Sequence, residues 1–145
     1  MRVVLQRVSR AKCEVAGRVT GEVGLGFLAL VGFTEGDDDN ALAKMAKKIA
    51  NLRVFPDDAG KMNLNISAKN GAILSIPQFT LYADTTAGNR PSFTKSLNPA
   101  AAEKLYHRFN AVLAGEGLRV ETGVFGAHMD IELVNDGPVT IILEF

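Results

Sequence analysis

The sequence predicts a single α+β domain with about seven strands in a mixed, partly barrel-like sheet and two main helices. Short apolar runs separated by turns that contain Gly, Pro or Asn fill both ends of the chain. Two segments, Leu42 to Leu52 and Ala102 to Leu113, carry apolar residues at helical spacing. A chain of 145 residues without a linker or repeat has the size of one domain.

The first third of the chain predicts a meander of strands. Alternation around Val3 and Leu5 indicates an opening strand, and Lys12 to Ala16 indicates a second. A turn at Gly17 leads into Val19 to Val23. The run from Leu25 to Val31 is almost wholly apolar, which is typical of a strand covered on both faces.

The first helix is predicted to begin in the acidic run Asp37 to Asn40, because carboxylates stabilise the positive end of a helix dipole. Lys44, Lys47 and Lys48 lie opposite its apolar side. They predict either a solvated face or a local patch that contacts phosphate groups. A short strand from Leu52 to Phe55 follows.

The segment from Lys61 to Ser67 is ambiguous, whereas Ala72 to Tyr82 predicts a long strand interrupted at Pro77. Proline donates no ladder hydrogen bond, so Pro77 indicates an edge, a bulge or a strand break. Asp84 to Lys95 is rich in Gly, Asn, Thr and Pro, and it predicts a surface loop.

The second helix is predicted to start at Asn98-Pro99, with Asn as the cap and Pro at the first helical position, and to end near Gly115. Three closing strands follow, at Leu118 to Phe125, Met129 to Val134 and Val139 to Phe145. The last two flank Gly137-Pro138, a pair typical of a hairpin turn.

Composition narrows the class of protein. Sixteen basic residues balance sixteen acidic ones, which argues against a protein that coats long nucleic acid. The single cysteine, Cys13, excludes an internal disulfide and fits a reducing compartment. No apolar run is long enough to span a bilayer, and no signal peptide is evident. We expect a soluble, cytoplasmic protein with no membrane or DNA partner.

The chain is poor in conventional catalytic groups. Cys13 alternates with apolar residues and predicts a buried side chain. His107 and His128 stand in no recognised metal-binding or triad spacing, so we expect no metal and no cofactor. No Gly-x-Ser-x-Gly elbow or phosphate-binding glycine loop is present.

Two other stretches are candidates for chemistry. In strand periodicity, Gln78 and Thr80 share one face of the segment after Pro77, and Phe79 lies on the other. Backbone N–H groups freed by a break at Pro77 would suit an oxyanion site, although a polar-faced edge strand is the simpler interpretation. Gly137-Pro138 is the second stretch, as a rigid turn with outward carbonyl groups.

Taken together, the motifs resemble the D-aminoacyl-tRNA deacylases, enzymes that cleave D-amino acids from mischarged tRNA. The resemblance covers essentially the whole chain and runs in the same order. The segments that carry it are MRVVLQRVSRA at the start, KMNLN at 61–65, PQFTLYADT at 77–85, GNRPSFTK at 88–95, ETGVFGAHM at 121–129 and NDGPVT at 135–140. Each segment alone is weakly specific, but six segments in the same order are strong evidence for the resemblance.

The resemblance implies a homodimer in which Gly137-Pro138, with a cis peptide bond, enters the active site of the neighbouring subunit. The other half of that site falls on Pro77, Gln78, Phe79 and Thr80, with the last three as the expected catalytic residues and Pro77 beside the substrate. It further implies hydrolysis by water without a metal. Whether Thr80 acts chemically or only through geometry stays open.

By the same resemblance, Arg7 and Met129 flank and fix the Gly-Pro pair. Pro77 departs from the family pattern, which has serine there, so a serine hydroxyl takes no part in this chain. A shift towards glycyl esters is a further possibility that this departure leaves open.

The expected substrate is therefore a D-aminoacyl-tRNA, with glycyl-tRNA cleaved as well because glycine has no side chain to clash. The expected partners are the tRNA acceptor end and a second copy of the chain. Phosphate contacts are expected from one or more basic side chains: Lys44, Lys47, Lys48, Arg90 and Lys95. Two alternatives remain, a non-catalytic dimeric module that binds the acceptor end, and a hydrolase with a Cys13 or Thr80 nucleophile.

Overall fold

The computed structural model describes all 145 residues as one α+β domain of eight strands and two helices. The helices are α1 (Asp39–Asn51) and α2 (Pro99–Gly115). The strands are β1 (Arg2–Val15), β2 (Arg18–Val23), β3 (Gly26–Gly32), β4 (Phe55–Pro56), β5 (Met62–Leu64), β6 (Ala72–Pro77), β7 (Arg119–Thr122) and β8 (Asp130–Glu144). Short 3₁₀ turns occupy Ser67–Lys69 and Phe79–Tyr82.

Strand β1 organises the sheet because it pairs with three others. Its first half, from Arg2 to Val8, is antiparallel to β3, and its second half, from Ala11 to Val15, is antiparallel to β2. Along its other edge, β1 pairs with β8 over nearly its whole length. The two strands predicted near Val3 and from Lys12 to Ala16 are therefore one long strand.

The sheet continues from β3 through parallel pairings to β6 and β7. It curls until β7 lies beside β2, without joining it by a ladder. Gly21 permits this approach, because a Cβ atom there would lie only 3.0 Å from the Thr122 carbonyl oxygen. The sheet is thus nearly a barrel, as the sequence predicted in outline.

Two apolar clusters fill the domain. The larger lies between the sheet and the helices, and it includes Leu5, Phe27, Met45 and Tyr106. The smaller, which we call the inner cluster, lies within the curl of the sheet, and it includes Val8 and Cys13. Strand β3 contributes to both clusters, which explains its continuous apolar sequence.

Both helices begin where the capping residues predict. The Asp38 side chain accepts a hydrogen bond from the Ala41 N–H, and the Asn98 side chain accepts one from the Ala101 N–H. These bonds satisfy N–H groups that have no partner within the helix. No helix is both long enough and apolar enough to cross a membrane.

Two further predictions of local structure were wrong. The strand that starts at Ala72 ends at Pro77, and the following residues form a 3₁₀ turn, so Gln78 and Thr80 do not share a strand face. The segments on either side of Gly137-Pro138 are one strand, β8, because both pair with β1 in the same direction. The Gly-Pro pair is therefore a bulge within a strand and not a hairpin turn.

Candidate active site

A cavity of about 390 Å³ opens where β3 and β6 end beside the start of α2. None of its thirteen lining residues is charged. The aromatic rings of Phe79, Phe93 and Phe125 line it, together with the side chain of Gln78. Phe79 and Phe93 pack edge to face with ring centroids 5.0 Å apart. The cavity suits an uncharged group of moderate size.

The chain leaves β6 at Pro77 in a way that exposes main-chain donors. Pro77 is the last residue of β6, two residues beyond the end of pairing with β7, so its missing N–H leaves no gap in the β6–β7 ladder. The Gln78 N–H still donates to the Val31 carbonyl oxygen, over 2.7 Å. The next two N–H groups, of Phe79 and Thr80, have no acceptor in the protein.

This 3₁₀ turn is held from several sides. The Ser96 hydroxyl donates to the Phe79 carbonyl oxygen over 2.9 Å, and the Arg2 guanidinium donates to the Leu81 carbonyl oxygen. Arg2 also lies over the Tyr82 ring, 4.9 Å from its centroid, and burial raises the pKa of Tyr82 to about 12. Nothing in the sequence pattern had pointed to Arg2 or Ser96, because both act through distant backbone.

The three predicted catalytic residues lie together but differ in exposure. Gln78 is half-buried, whereas Phe79 and Thr80 are exposed; Gln78 and Phe79 line the cavity and Thr80 does not. The Gln78 side-chain amide donates to the Thr80 hydroxyl, which fixes both polar groups at the mouth of the cavity. The Thr80 hydroxyl has no histidine, lysine or carboxylate partner that would activate it as a nucleophile.

The conventional catalytic side chains, those of cysteine and histidine, do not line this cavity. Cys13 is fully buried in the inner cluster, as its spacing predicted. The side chains of His107 and His128 are 68% and 94% exposed, and their nearest ionic partners are Glu103 and Asp130. No three His, Cys, Asp or Glu side chains are arranged to hold a metal ion.

The second candidate stretch is a loop extruded from β8, residues 136–139, which we call the Gly-Pro loop. On β1, Gln6 pairs with Thr140 and Val8 with Asn135, so four residues of β8 stand opposite Arg7 alone. The Gly137–Pro138 peptide bond is cis, and both residues are exposed.

Arg7 anchors this loop. Its side chain is nearly buried, with Nε donating to the Asp136 carbonyl oxygen over 2.9 Å and lying 3.1 Å from the Asp136 carboxylate. Nη1 donates to the Val54 carbonyl oxygen, which ties the loop to the segment after α1. Arg7 lies directly behind Gly137, because a Cβ atom on Gly137 would be 3.4 Å from Arg7 Nη2.

Within one chain, the two halves of the expected site are apart. The Gly-Pro loop lies on the β8 side of β1, whereas Pro77 lies two strands away on the other side, beyond β3. Met129 does not contact the loop of its own chain. It precedes the far end of β8 and packs against the inner cluster near Gly123. The role that the resemblance implies for Met129, flanking a Gly-Pro pair, therefore requires the loop of another copy.

The loop from Asp84 to Lys95 borders the cavity through Phe93. Its two ends are joined by an ion pair of 2.9 Å between Lys95 and Asp84, and by a backbone bridge between Asp84 and Ser92. The Lys95 ammonium, with the Thr86 hydroxyl and N–H, holds the pKa of the Asp84 carboxyl well below its usual range.

The fold and the cavity define a small α+β protein whose candidate site is built from main-chain donors and uncharged side chains. The model of the D-Tyr-tRNA(Tyr) deacylase family matches residues 4–144. The chain belongs to that family.

Relatives match over their full length. The D-aminoacyl-tRNA deacylase of Deinococcus radiodurans is 57% identical over 99% of both chains, and that of Limosilactobacillus reuteri is 54% identical over the same share. A solved structure titled c-Myc DNA Unwinding Element Binding Protein superposes with a TM-score of 0.93 at 38% identity, covering 100% of this chain and 99% of the other. A probable eukaryotic D-amino acid tRNA deacylase shares the fold, with a TM-score of 0.87 at 17% identity over 98% and 97% of the chains.

Proposed function

We propose that this protein hydrolyses the ester that joins a D-amino acid to the terminal ribose of tRNA, releasing the free amino acid and the tRNA. Family membership supports the reaction class. The observation that carries the proposal is the pair of unpartnered N–H groups of Phe79 and Thr80 beside a cavity with no charged lining. Two adjacent free donors match the needs of a carbonyl oxygen that gains negative charge.

In this reaction, water attacks the ester carbonyl carbon and the bond to the ribose oxygen breaks, with a proton passing to that oxygen. An ester is already activated relative to an amide. One well-placed donor contributes about 3 kcal/mol to stabilising a tetrahedral oxyanion. Main-chain donors at Phe79 and Thr80 therefore supply the main stabilisation, and Gln78 orients the Thr80 hydroxyl at the cavity mouth.

Selection of the D form requires contacts with what all amino acids share, because side chains differ. We propose that the Gly-Pro loop of a second copy reaches this cavity and accepts from the substrate ammonium through its carbonyl groups. The side chain of an L-amino acid would then meet main chain held by Arg7. Rejection by clash works only if the obstacle cannot move. Two contacts from Arg7 hold Asp136 of the loop, and a third, to the Val54 carbonyl oxygen, holds the guanidinium itself.

A homodimer is part of the proposal. Strand β8 is fifteen residues long and pairs only with β1, so its outer edge carries free hydrogen-bonding groups. Val134 and Ile142 on this strand are 40% and 67% exposed. Long edge strands with apolar residues are normally covered. A second copy on this side would bring a Gly-Pro loop, Met129 and the partner's cavity within reach of one another.

Glycine lacks the side chain on which the clash depends, so we propose some hydrolysis of glycyl-tRNA as well. We place the reaction in the cytoplasm, where tRNA is charged. Pro77 takes part only by ending β6 and exposing the donors that follow it.

Deacylation of purified D-tyrosyl-, L-tyrosyl- and glycyl-tRNA tests the proposal. We expect rapid loss of the D ester, slower loss of the glycyl ester and protection of the L ester. If the protein instead protects the D and L esters equally, relative to the same esters without protein, it is a non-catalytic module that binds the acceptor end. Analytical ultracentrifugation of the same preparation measures whether the chain is a dimer.

A further inference from the structure

A groove of about 550 Å³ on the other side of the Arg7 anchor concentrates positive charge. It is lined by Lys44, Lys47 and Lys48 of α1 and by Arg53, which follows that helix. All four side chains are exposed. Phe145, at the end of β8, forms the far wall. We call this the basic groove.

None of the four cations in the basic groove forms an ion pair with a carboxylate. Four such cations lining one groove set it apart in a chain whose formal net charge is zero. Some other basic side chains are paired with carboxylates, such as Arg10 with Glu132, and the unpaired ones elsewhere do not line this groove. The basic groove therefore brings four unpaired positive charges together.

The spacing of the lysines weakens the helix that carries them. Lys44 stands three residues before Lys47 and four before Lys48, so like charges face one another along α1. Such pairs destabilise a helix, and no Asp or Glu lies three or four residues from any of the three. The helix dipole favours Lys48 in the last turn, but no carboxylate partner offsets the repulsion among the three lysines, whereas a bound polyanion would.

The basic groove is adjacent to the Gly-Pro loop. The segment that leaves α1 runs from Arg53 to Val54, and the Val54 carbonyl oxygen accepts from the same Arg7 guanidinium that holds Asp136. The other basic candidates are less suited to phosphate. Lys95 is paired with Asp84, and Arg90 stands alone in an exposed loop.

We propose that the basic groove binds the phosphate backbone of the tRNA acceptor arm, and that it belongs to the subunit that lends its Gly-Pro loop. This inference rests on the proposed function. When the aminoacyl ester contacts the Gly-Pro loop, the rest of the acceptor arm must lie along the surface next to that loop, on the subunit that lends it. Lys44, Lys47, Lys48 and Arg53 then contact successive phosphates, while the partner supplies Phe79 and Thr80.

The first test replaces the three lysines with glutamine, K44Q/K47Q/K48Q, in the full-length protein. The control, R18Q/K69Q/K104Q, removes the same charge from three side chains elsewhere that form no ion pair. For the groove variant we expect KM for D-tyrosyl-tRNA to rise about tenfold, and the slope of log KM against log salt to fall by roughly 2, since each phosphate contact contributes about 0.7 to 0.9. The control should match the wild type.

A small ester separates this inference from the proposed function. The D-tyrosyl ester of adenosine reaches the cavity but has no acceptor arm, so the groove variant should hydrolyse it at the wild-type rate. Hydrolysis of both substrates by the wild type, with equal salt slopes for groove variant and control, would overturn the groove while leaving the function intact. Hydrolysis of neither substrate would overturn the function.

Binding of uncharged tRNA, measured by fluorescence anisotropy, tests the groove independently of catalysis. We expect weaker binding for the groove variant than for the control. If binding to phosphatidylserine vesicles falls in the groove variant while tRNA binding is unchanged, the groove serves a membrane surface and the proposal is wrong.

Mixed dimers test which subunit the groove serves. One subunit carries Gly137→Val, so that only the other subunit lends a working loop. We expect the lysine substitutions to raise KM when they are on the loop-lending subunit and to be silent on the Gly137→Val subunit. The reverse pattern would assign the groove to the subunit that supplies the cavity.

Discussion

Arg7 meets Asp136 at two points: its Nε donates to the Asp136 carbonyl oxygen over 2.9 Å and lies 3.1 Å from the carboxylate Oδ2. A third contact joins the same guanidinium to the Val54 carbonyl oxygen. One nearly buried cation therefore fixes the Gly-Pro loop to both the sheet and the end of α1. The planar fork of arginine is suited to this, because its donors point in fixed directions.

We expect Arg7→Met to lower the free energy of unfolding by about 2 kcal/mol, the typical contribution of hydrogen bonds to a charged group. The freed loop should also reject L-tyrosyl-tRNA less well, so the ratio of D to L hydrolysis falls. Urea denaturation and deacylation assays measure the two effects. Asp136→Asn is the control, because it keeps the carbonyl contact and should change both quantities less than Arg7→Met does.

Gly137 adopts a φ of +138°, and a Cβ atom there would lie 2.8 Å from the Val139 nitrogen and 2.9 Å from its Cγ2. We expect Gly137→Ala to displace the loop and lower kcat/KM for D-tyrosyl-tRNA by about tenfold or more, which corresponds to roughly 1.4 kcal/mol. Gly60→Ala, at a positive φ with open space around it, should leave kcat/KM unchanged. Equal activity of both variants would show that the Gly-Pro loop is not part of the active site.

Thr80 and Cys13 test whether a side chain is the nucleophile. Since the Thr80 hydroxyl has no basic partner, we expect Thr80→Ala to lower kcat by less than about tenfold, far below the ~100-fold or greater loss expected on removing a general acid or base. Cys13 is buried away from the cavity, so Cys13→Ala should leave kcat unchanged. Single-turnover deacylation measures both. Complete loss in either variant would establish covalent catalysis.

The Asp84–Lys95 ion pair closes the loop that carries Phe93. Because the pKa of Asp84 is lowered in the folded state, its contribution is complete above the ordinary value of 3.8 and is lost as the pH falls below it. We expect the protection of amides in residues 84–95 against hydrogen exchange, corrected for the intrinsic exchange rate at each pH, to fall in acid before that of the rest of the domain. In Asp84→Asn the protection of this loop should be low already at neutral pH, with no further fall near pH 4.

Tyr106 positions the end of β6 from beneath. Its hydroxyl donates to the Ser75 carbonyl oxygen over 2.8 Å, and the Gly123 N–H donates to the same oxygen over 2.9 Å. We expect Tyr106→Phe to lower the free energy of unfolding by about 1 kcal/mol, the net contribution of one hydrogen bond. Thermal or urea denaturation measures this. A value near zero would show that the Gly123 bond alone holds this carbonyl.

The sequence by itself determined the class of fold and the start of each helix. Helix caps at Asp38 and Asn98 act over three residues, so they are visible in the chain alone. Cys13 was also placed correctly, because alternation along a strand shows which side chains face inward. The six ordered motifs were sufficient to recognise the family.

Only the tertiary structure decided how those pieces join. Apolar alternation gives the same pattern for two strands as for one strand with a bulge, so β8 appeared as two elements until pairing with β1 fixed its direction. The free N–H groups of Phe79 and Thr80 likewise depend on where β6 ends, and β3 and β7 determine that. Pro77 indicated that a strand break would free N–H groups, but only the hydrogen-bonding pattern of the folded chain shows which N–H groups are free.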